Sequence, residues 1–238
     1  MSSRYQSFLS MAELHNRSLT RRKFGELLGK QEPSLVAFEA CASAHFWSRT
    51  AIRMGHEVKI IPAKAVAPFR QGHKTDSNDA LAVAEAARRP NIKDAPMKSV
   101  EQQGLQAIQR ARELLIHECV ALSNHMRGNL LEFGITIPPG FASLLRSLPE
   151  ILEDAEYELP DLYRPTLNRL HQRLLALRVD IETMTKEVEQ LVEAHPICQK
   201  LTALEGVGPI CALSLYAVLG SGDAFTKSRE FSAYLGNL

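Results

Sequence analysis

PSLVAFEACASAHFWSRTAIRMGHEVKIIP, residues 33–62, decides the fold of the N-terminal part. Leu35-Val36-Ala37-Phe38 is a short apolar run bounded by Pro33 and reads as a buried strand. Ser43 to Met54 reads as a helix, with Phe46, Trp47 and Ile52 as its apolar positions and Gly55 as its stop. Glu57-Val58-Lys59-Ile60-Ile61 is a second strand, ended by Pro62. Strand, helix and strand at this length make a βαβ unit with parallel pairing. Glu39 then stands at the carboxyl end of the first strand, where parallel sheets open toward ligands.

A short basic helix with a glycine stop is expected from Thr20 to Gly29, and a further helix from about Ser77 to Arg88. Lys74-Thr75-Asp76-Ser77-Asn78-Asp79-Ala80 places two acids three residues apart at the start of the latter, so both can face one side. Glu39, Asp76 and Asp79 are therefore candidate metal ligands. Phosphodiester chemistry needs an aimed nucleophile and neutralised charge. Two Mg2+ ions about 3.5–4 Å apart, held by hard carboxylate oxygens, supply both. A plainer reading stands beside this one: Asp76 as N-cap, Asp79 as its N3 partner, and Glu39 as a solvated strand end. Sites of this kind usually open with an aspartate on a first strand, and the sequence has no aspartate before Asp76.

From residue 98 onward the pattern is helical. Val100 to Phe133 reads as one long helix with Ile108, Ala111, Leu115, Cys119, Leu122 and Met126 on a stripe. Gly134 and Pro138-Pro139-Gly140 break it. Residues 150–161 carry six acids and no base, as a solvated connection would. Leu167, Leu170, Leu174, Leu177, Ile181, Met184, Val188 and Leu191 then alternate by three and four, an a/d heptad seam. Such a seam forms either an antiparallel hairpin within the chain or a coiled coil between chains. Gly206-Val207-Gly208-Pro209 joins two apolar helical stretches like a helix-hairpin-helix turn. The backbone N–H groups of such a turn can hold a DNA phosphate, and a tight packing turn would look the same in sequence. A last helix is expected from Phe225 to Leu235.

Composition bounds the function classes. The 238 residues are 45% hydrophobic and 23% charged, ordinary for a globular protein. No apolar run reaches the ~18 residues of a membrane span, and the N-terminus lacks a signal-peptide core. The four cysteines are scattered and read as reduced thiols of a cytoplasmic protein. Residues 1–75 hold twelve Lys/Arg and five Glu, a charge of +7, against sixteen bases and twenty-two acids in the remainder, a charge of −6. A basic N-terminal third suits a polyanion such as nucleic acid, or is an ordinary solvated surface.

Several motifs taken together resemble the DEDD insertion-sequence transposases of the IS110 type, relatives of the Piv DNA invertases. They are Glu39 to Trp47, Lys74 to Ala80, Lys98-Ser99-Val100-Glu101-Gln102-Gln103, Gly206-Val207-Gly208-Pro209 and Phe225 to Gly236. The resemblance is collinear from about residue 17 to the end. It implies an α/β RuvC-like (RNase H-like) domain over 1–97, long helices and a coiled coil over 98–196, and an all-α helix-hairpin-helix part over 197–238. It implies Mg2+-dependent DNA recombination by a homo-oligomer assembled through the coiled coil, with a guide RNA encoded by the element and no membrane. Residue by residue, Glu39, Asp76 and Asp79 match three of the four acids, and Lys74 with Gly206, Val207 and Gly208 are the DNA-binding candidates. Nothing in residues 1–34 matches the first acid. Ser214, Ser221, Ser228 and Ser232 do not match the family's nucleophilic serine. The chain is thus expected to be a transposase truncated at both ends and inactive alone. The alternative is a non-catalytic nucleic-acid-binding or oligomerising protein acting on a full-length relative.

Overall fold

The computed structural model describes residues 17–70, 73, 75–154, 156–220, 222, 227, 229 and 232, and the chain divides into two compact units, 1–99 and 100–238. The expected C-terminal helix at Phe225 to Leu235 and the candidate Lys74 lie outside the described residues, apart from Lys227, Arg229 and Ser232 within the former.

The first unit runs α1 (Arg21–Lys30), β1 (Leu35–Glu39), α2 (Ala44–Arg53), β2 (Glu57–Ile61), α3 (Ala63–Val66), a 3-10 turn at Ala67–Phe69 and α4 (Asp76–Ala87). Among the described residues the sheet has two strands, parallel, with Leu35 opposite Glu57 and Glu39 opposite Ile61. Side chains alternate across it, as the pleat requires. Val36, Phe38 and Val58 pack on Phe24 and Leu28 of α1 and Trp47 and Ala51 of α2. Ala37 and Ile61 pack on the other face, against Val66, Ala82, Val83 and Ala86.

Two local expectations are corrected. Helix α2 buries Ala44, Trp47, Ser48 and Ala51, whereas Phe46 is 39% and Ile52 47% exposed. The expectation holds for Trp47, which shares the buried stripe with the small Ala44, Ser48 and Ala51, and fails for Phe46 and Ile52. Gly29 does not stop α1, which continues to Lys30 and is capped at Gln31. The buried His56 ring serves this end of the helix. Its Nε2–H donates to Leu28 O at 2.9 Å, and its Nδ1 accepts from Ser34 N at 3.2 Å.

His45 and Arg49, one turn apart on α2, hold the Lys98 backbone. Lys98 N–H donates to His45 Nδ1 at 3.2 Å, and Arg49 Nη1 donates to Lys98 O at 2.6 Å. Burial, then the charges of Lys98 and Arg49, push the His45 imidazole below its ordinary pKa. Burial does the same to His171 in the second unit. Both rings are held neutral by the fold, so the unfolded chain binds more protons. Their share of stability is present above about pH 6.5 and is lost as pH falls through the lowered folded values. His45→Asn keeps an acceptor for Lys98 N–H and cannot ionise in that range. Urea unfolding at about pH 7.5 and pH 5.5 should show a smaller acid-side loss for this variant than for the native chain.

The second unit comprises α5 (Val100–Glu132), α6 (Phe141–Glu153), α7 (Arg164–Ala194), α8 (Pro196–Thr202) and α9 (Pro209–Leu219). Helices α5 and α7 are antiparallel. Leu167, Leu174 and Leu177 of α7 share a core with Cys119, Met126 and Leu130 toward the end of α5, and with Leu144, Leu148 and Ile151 of α6. Val188 and Val192 meet Leu105, near the start of α5, together with Cys198, Leu213 and Ala217. The heptad seam is therefore covered within the chain. Burial of each large side chain contributes about 1.5–3 kcal/mol. Polar groups fix the register: Arg112 Nε donates to Thr185 Oγ1 at 2.8 Å, and Arg173 Nη2 pairs with Glu118 at 3.1 Å.

Helix α6 occupies part of the stretch expected to be a solvated connection. Leu144, Leu148 and Ile151 give it a buried stripe despite Pro149 within it. The last carbonyls of a helix have no partner within the helix, and Arg164 supplies one here. Its Nη1 donates to Ile151 O at 3.1 Å and Leu152 O at 2.9 Å, and its Nη2 to Asp154 O at 3.0 Å. Arg164→Ala leaves these part-buried carbonyls without their donor. The expected cost is about 2–3 kcal/mol of unfolding free energy, read by chemical denaturation. A loss under about 0.5 kcal/mol would show that water replaces the guanidinium at no cost.

Candidate acid site and helix-turn-helix surface

The pleat explains how the acids come together. Glu39 shares the parity of Ala37 and so belongs to the sheet face that α4 covers. On α4, Asp79 lies three, four and seven residues before Ala82, Val83 and Ala86, the stripe packed on that face. Thr75 caps the helix, its Oγ1 accepting from Asn78 N at 3.2 Å, and Asn78 Nδ2 donates to His73 O at 2.8 Å. Asp76 is thus N1 rather than the cap, and Asp79 is not the N3 residue. The capping reading of these acids is replaced by a Thr75 cap.

Glu39 and Asp79 converge on one cation, Arg70, which follows the 3-10 turn after β2. Arg70 Nη2 donates to Glu39 Oε1 at 3.1 Å, and Arg70 Nε stands 2.7 Å from Asp79 Oδ1. The second contact is a close charge pair without hydrogen-bond alignment. Both of its atoms are buried, and neither has a hydrogen-bond partner. Such a buried, unsatisfied carboxylate oxygen is costly unless charge compensates it. Asp76 is exposed one turn earlier on the same stripe. Among the described residues no group of three or more His, Cys, Asp or Glu is close enough to hold a metal ion. The structure thus brings Glu39 and Asp79 together and leaves Asp76 outside such a group. Arg70 was not legible in the sequence, because it bears no periodic relation to either acid.

The donor chemistry of the pair fits a hard divalent cation. Two carboxylates from two elements face one point of positive charge, and one of their oxygens lacks a hydrogen bond. Glu39 and Asp79 thus present two carboxylates, and no third ligating side chain among the described residues, to that point.

In the second unit, Gly206, Gly208 and Pro209 form an exposed turn between α8 and α9, with Val207 half-buried against the core. Gly206 has φ +82°, a conformation that glycine adopts without strain. Pro209 occupies the first position of α9, where its missing N–H costs nothing. Helix α5 orients α9. Gln109 Nε2 donates to Ile210 O at 3.0 Å and Ser214 Oγ at 2.8 Å, and Gln102 Nε2 donates to Tyr216 O at 3.2 Å. The turn therefore presents the first backbone of α9 outward from a polar scaffold. Burial raises the thiol pKa values of Cys119 and Cys198, which disfavours their thiolate forms. Among the described residues no helix is long and apolar enough to cross a membrane.

A transposase family model, that of the DEDD transposases of the IS110 type, matches residues 7–135. A probable family 20 transposase of Pseudomonas aeruginosa is 36% identical over 221 residues, an alignment spanning 92% of this chain and 65% of that protein. The transposase for insertion sequence element IS1328 of Yersinia enterocolitica is 36% identical over 231 residues, spanning 94% of this chain and 68% of that protein. The transposase for insertion sequence element IS1111A of Coxiella burnetii is 34% identical over 223 residues, spanning 94% and 61%. The chain thus spans a little under two thirds of the first of these relatives. The match to the family model over more than half of the chain and these similarities show that the chain belongs to the DEDD transposase family of the IS110 type.

Proposed function

We propose that the chain acts on DNA in transposition of an insertion sequence, with Glu39, Asp76 and Asp79 as its catalytic acids on a RuvC-like domain. The observation that carries this reading is the convergence of Glu39 and Asp79 on one cationic point although forty residues separate them. Glu39 and Asp79 would hold Mg2+, with Asp76 on the adjoining turn of α4. The ion when bound neutralises negative charge on a phosphate undergoing attack. The chain's own part is to hold two carboxylates at fixed positions from a strand end and a helix start.

DNA backbone binding falls to the Gly206-Val207-Gly208 turn and to Lys74. A guide RNA encoded by the element and further copies of the chain are the other partners in this reading. Because α5 and α6 cover the heptad seam, copies would meet on other faces. The domain limits follow the motifs, at about residues 97 and 196, and the setting is cytoplasmic.

A second reading has its own support, since no group of three metal-ligating side chains forms among the described residues. It makes the chain a non-catalytic nucleic-acid-binding or oligomerising protein that acts on a full-length relative. Incubation with supercoiled DNA, with and without Mg2+, separates the two. Mg2+-dependent nicking supports the catalytic reading. Salt-sensitive DNA binding without nicking in either Mg2+ or Mn2+ supports the second.

A further inference from the structure

We propose that Arg70 is the resident cation of the Glu39–Asp79 pair and competes with a divalent metal ion for it. The inference rests on the acid-site reading above and adds to it a gate supplied by the chain itself.

The guanidinium faces two carboxylates from two different elements through two different nitrogens, Nη2 toward Glu39 and Nε toward Asp79. It is fixed in charge, because arginine does not deprotonate in proteins. Two carboxylates and one guanidinium leave a net charge of −1 at this point, so Arg70 compensates the pair only in part. A divalent ion between the same oxygens would stand within a few ångströms of the guanidinium, and the like charges would repel strongly at partial burial. The two cations therefore cannot share the pair. The Asp79 Oδ1 contact lacks hydrogen-bond alignment, so Arg70 satisfies the site's charge and leaves its hydrogen bonding incomplete. Such a contact is displaceable. Arg70 lies just past the turn Ala67–Phe69, and its side chain is 29% exposed, so it has solvent to swing into. Metal entry then means departure of Arg70, and the empty pair is never left uncompensated.

Mn2+ titration of the full chain by calorimetry tests this. Arg70→Gln removes the competing charge and keeps hydrogen-bonding capacity, so it should bind Mn2+ at least about tenfold more tightly than the native chain. Adding Asp79→Asn to that variant should abolish the gain. A second readout needs no variant. In the native chain, phenylglyoxal labelling of Arg70, followed by peptide mass spectrometry, should accelerate severalfold on adding Mn2+, while labelling of the exposed Arg22 stays constant. Equal Mn2+ affinity of the native chain and Arg70→Gln, or Arg70 labelling indifferent to Mn2+, overturns the competition. If Arg70→Gln gains affinity that Asp79→Asn and Glu39→Gln do not remove, the ion binds elsewhere. In that case the acid-site reading itself fails.

Discussion

Leu177→Asp is expected to unfold the second unit without changing the mass of the chain. Leu177 is 1% exposed and lies in the core shared by α5, α6 and α7. Truncating such a leucine to alanine costs about 2–5 kcal/mol. A carboxylate at the same position adds desolvation with no partner within that core, so the loss should exceed the upper part of that range. This approaches the whole stability of an ordinary domain, about 5–15 kcal/mol. Val179→Asp is the control: two residues away on the same helix, Val179 is 61% exposed, and the change should stay within about 0.5 kcal/mol. Far-UV circular dichroism with light scattering reads both quantities. A folded Leu177→Asp chain of half the native mass would instead show that the seam pairs two chains.

Asp79→Asn is expected to have the second large effect, on chemistry rather than folding. The substitution keeps the size of the side chain and removes one of the two charges facing the common point. Loss of a single preorganised electrostatic group at a reacting centre typically lowers rates by on the order of 10²–10³. Metal-dependent nicking should fall by that factor, and Glu39→Gln should act alike. Their combination should cost far less than the product of the two, because residues acting as a unit are not additive. Asn78→Ala on the same helix loses only the bond to His73 O and should leave the rate within a fewfold of native. Gel quantification of nicked against supercoiled DNA measures all four. Equal activity of Asp79→Asn and native chain would remove Asp79 from the chemistry.

The parts of this molecule legible in the sequence are those fixed by local rules. Strand β1 follows Pro33 as a short apolar run and β2 lies between Gly55 and Pro62, and their parallel pairing follows from the single helix between them; β1, read as buried, is only half-buried, with Leu35 exposed, because a two-stranded sheet leaves its start uncovered. The meeting of Glu39 with Asp79 follows from two periods: two along the strand and 3.6 along α4. What local rules do not fix was misread or missed. Helix α6 carries Pro149 within it and enters an acidic run, so its Leu144, Leu148 and Ile151 stripe was obscured until α5 and α7 gave it a surface to cover. The heptad seam of α7 announced an apolar face but not its occupant, since period alone does not distinguish α5 of the same chain from a second copy. Arg70 was invisible because its place depends on how the turn at Ala67–Phe69 redirects the chain after β2. On helix α2, Trp47 was read correctly as a core residue, but Phe46 and Ile52 were misplaced because they outweigh Ala44, Ser48 and Ala51 in hydrophobicity, and those small residues fill the rest of the buried stripe.

An anomalous-scattering map from crystals of the native chain grown in saturating Mn2+ decides whether a divalent ion displaces Arg70 from the acid pair. The expected map has a peak between the Glu39 and Asp79 carboxylates, with Arg70 turned away from both. A map with no peak at these acids, or with Mn2+ held by other residues while Arg70 keeps Glu39 and Asp79, would contradict it.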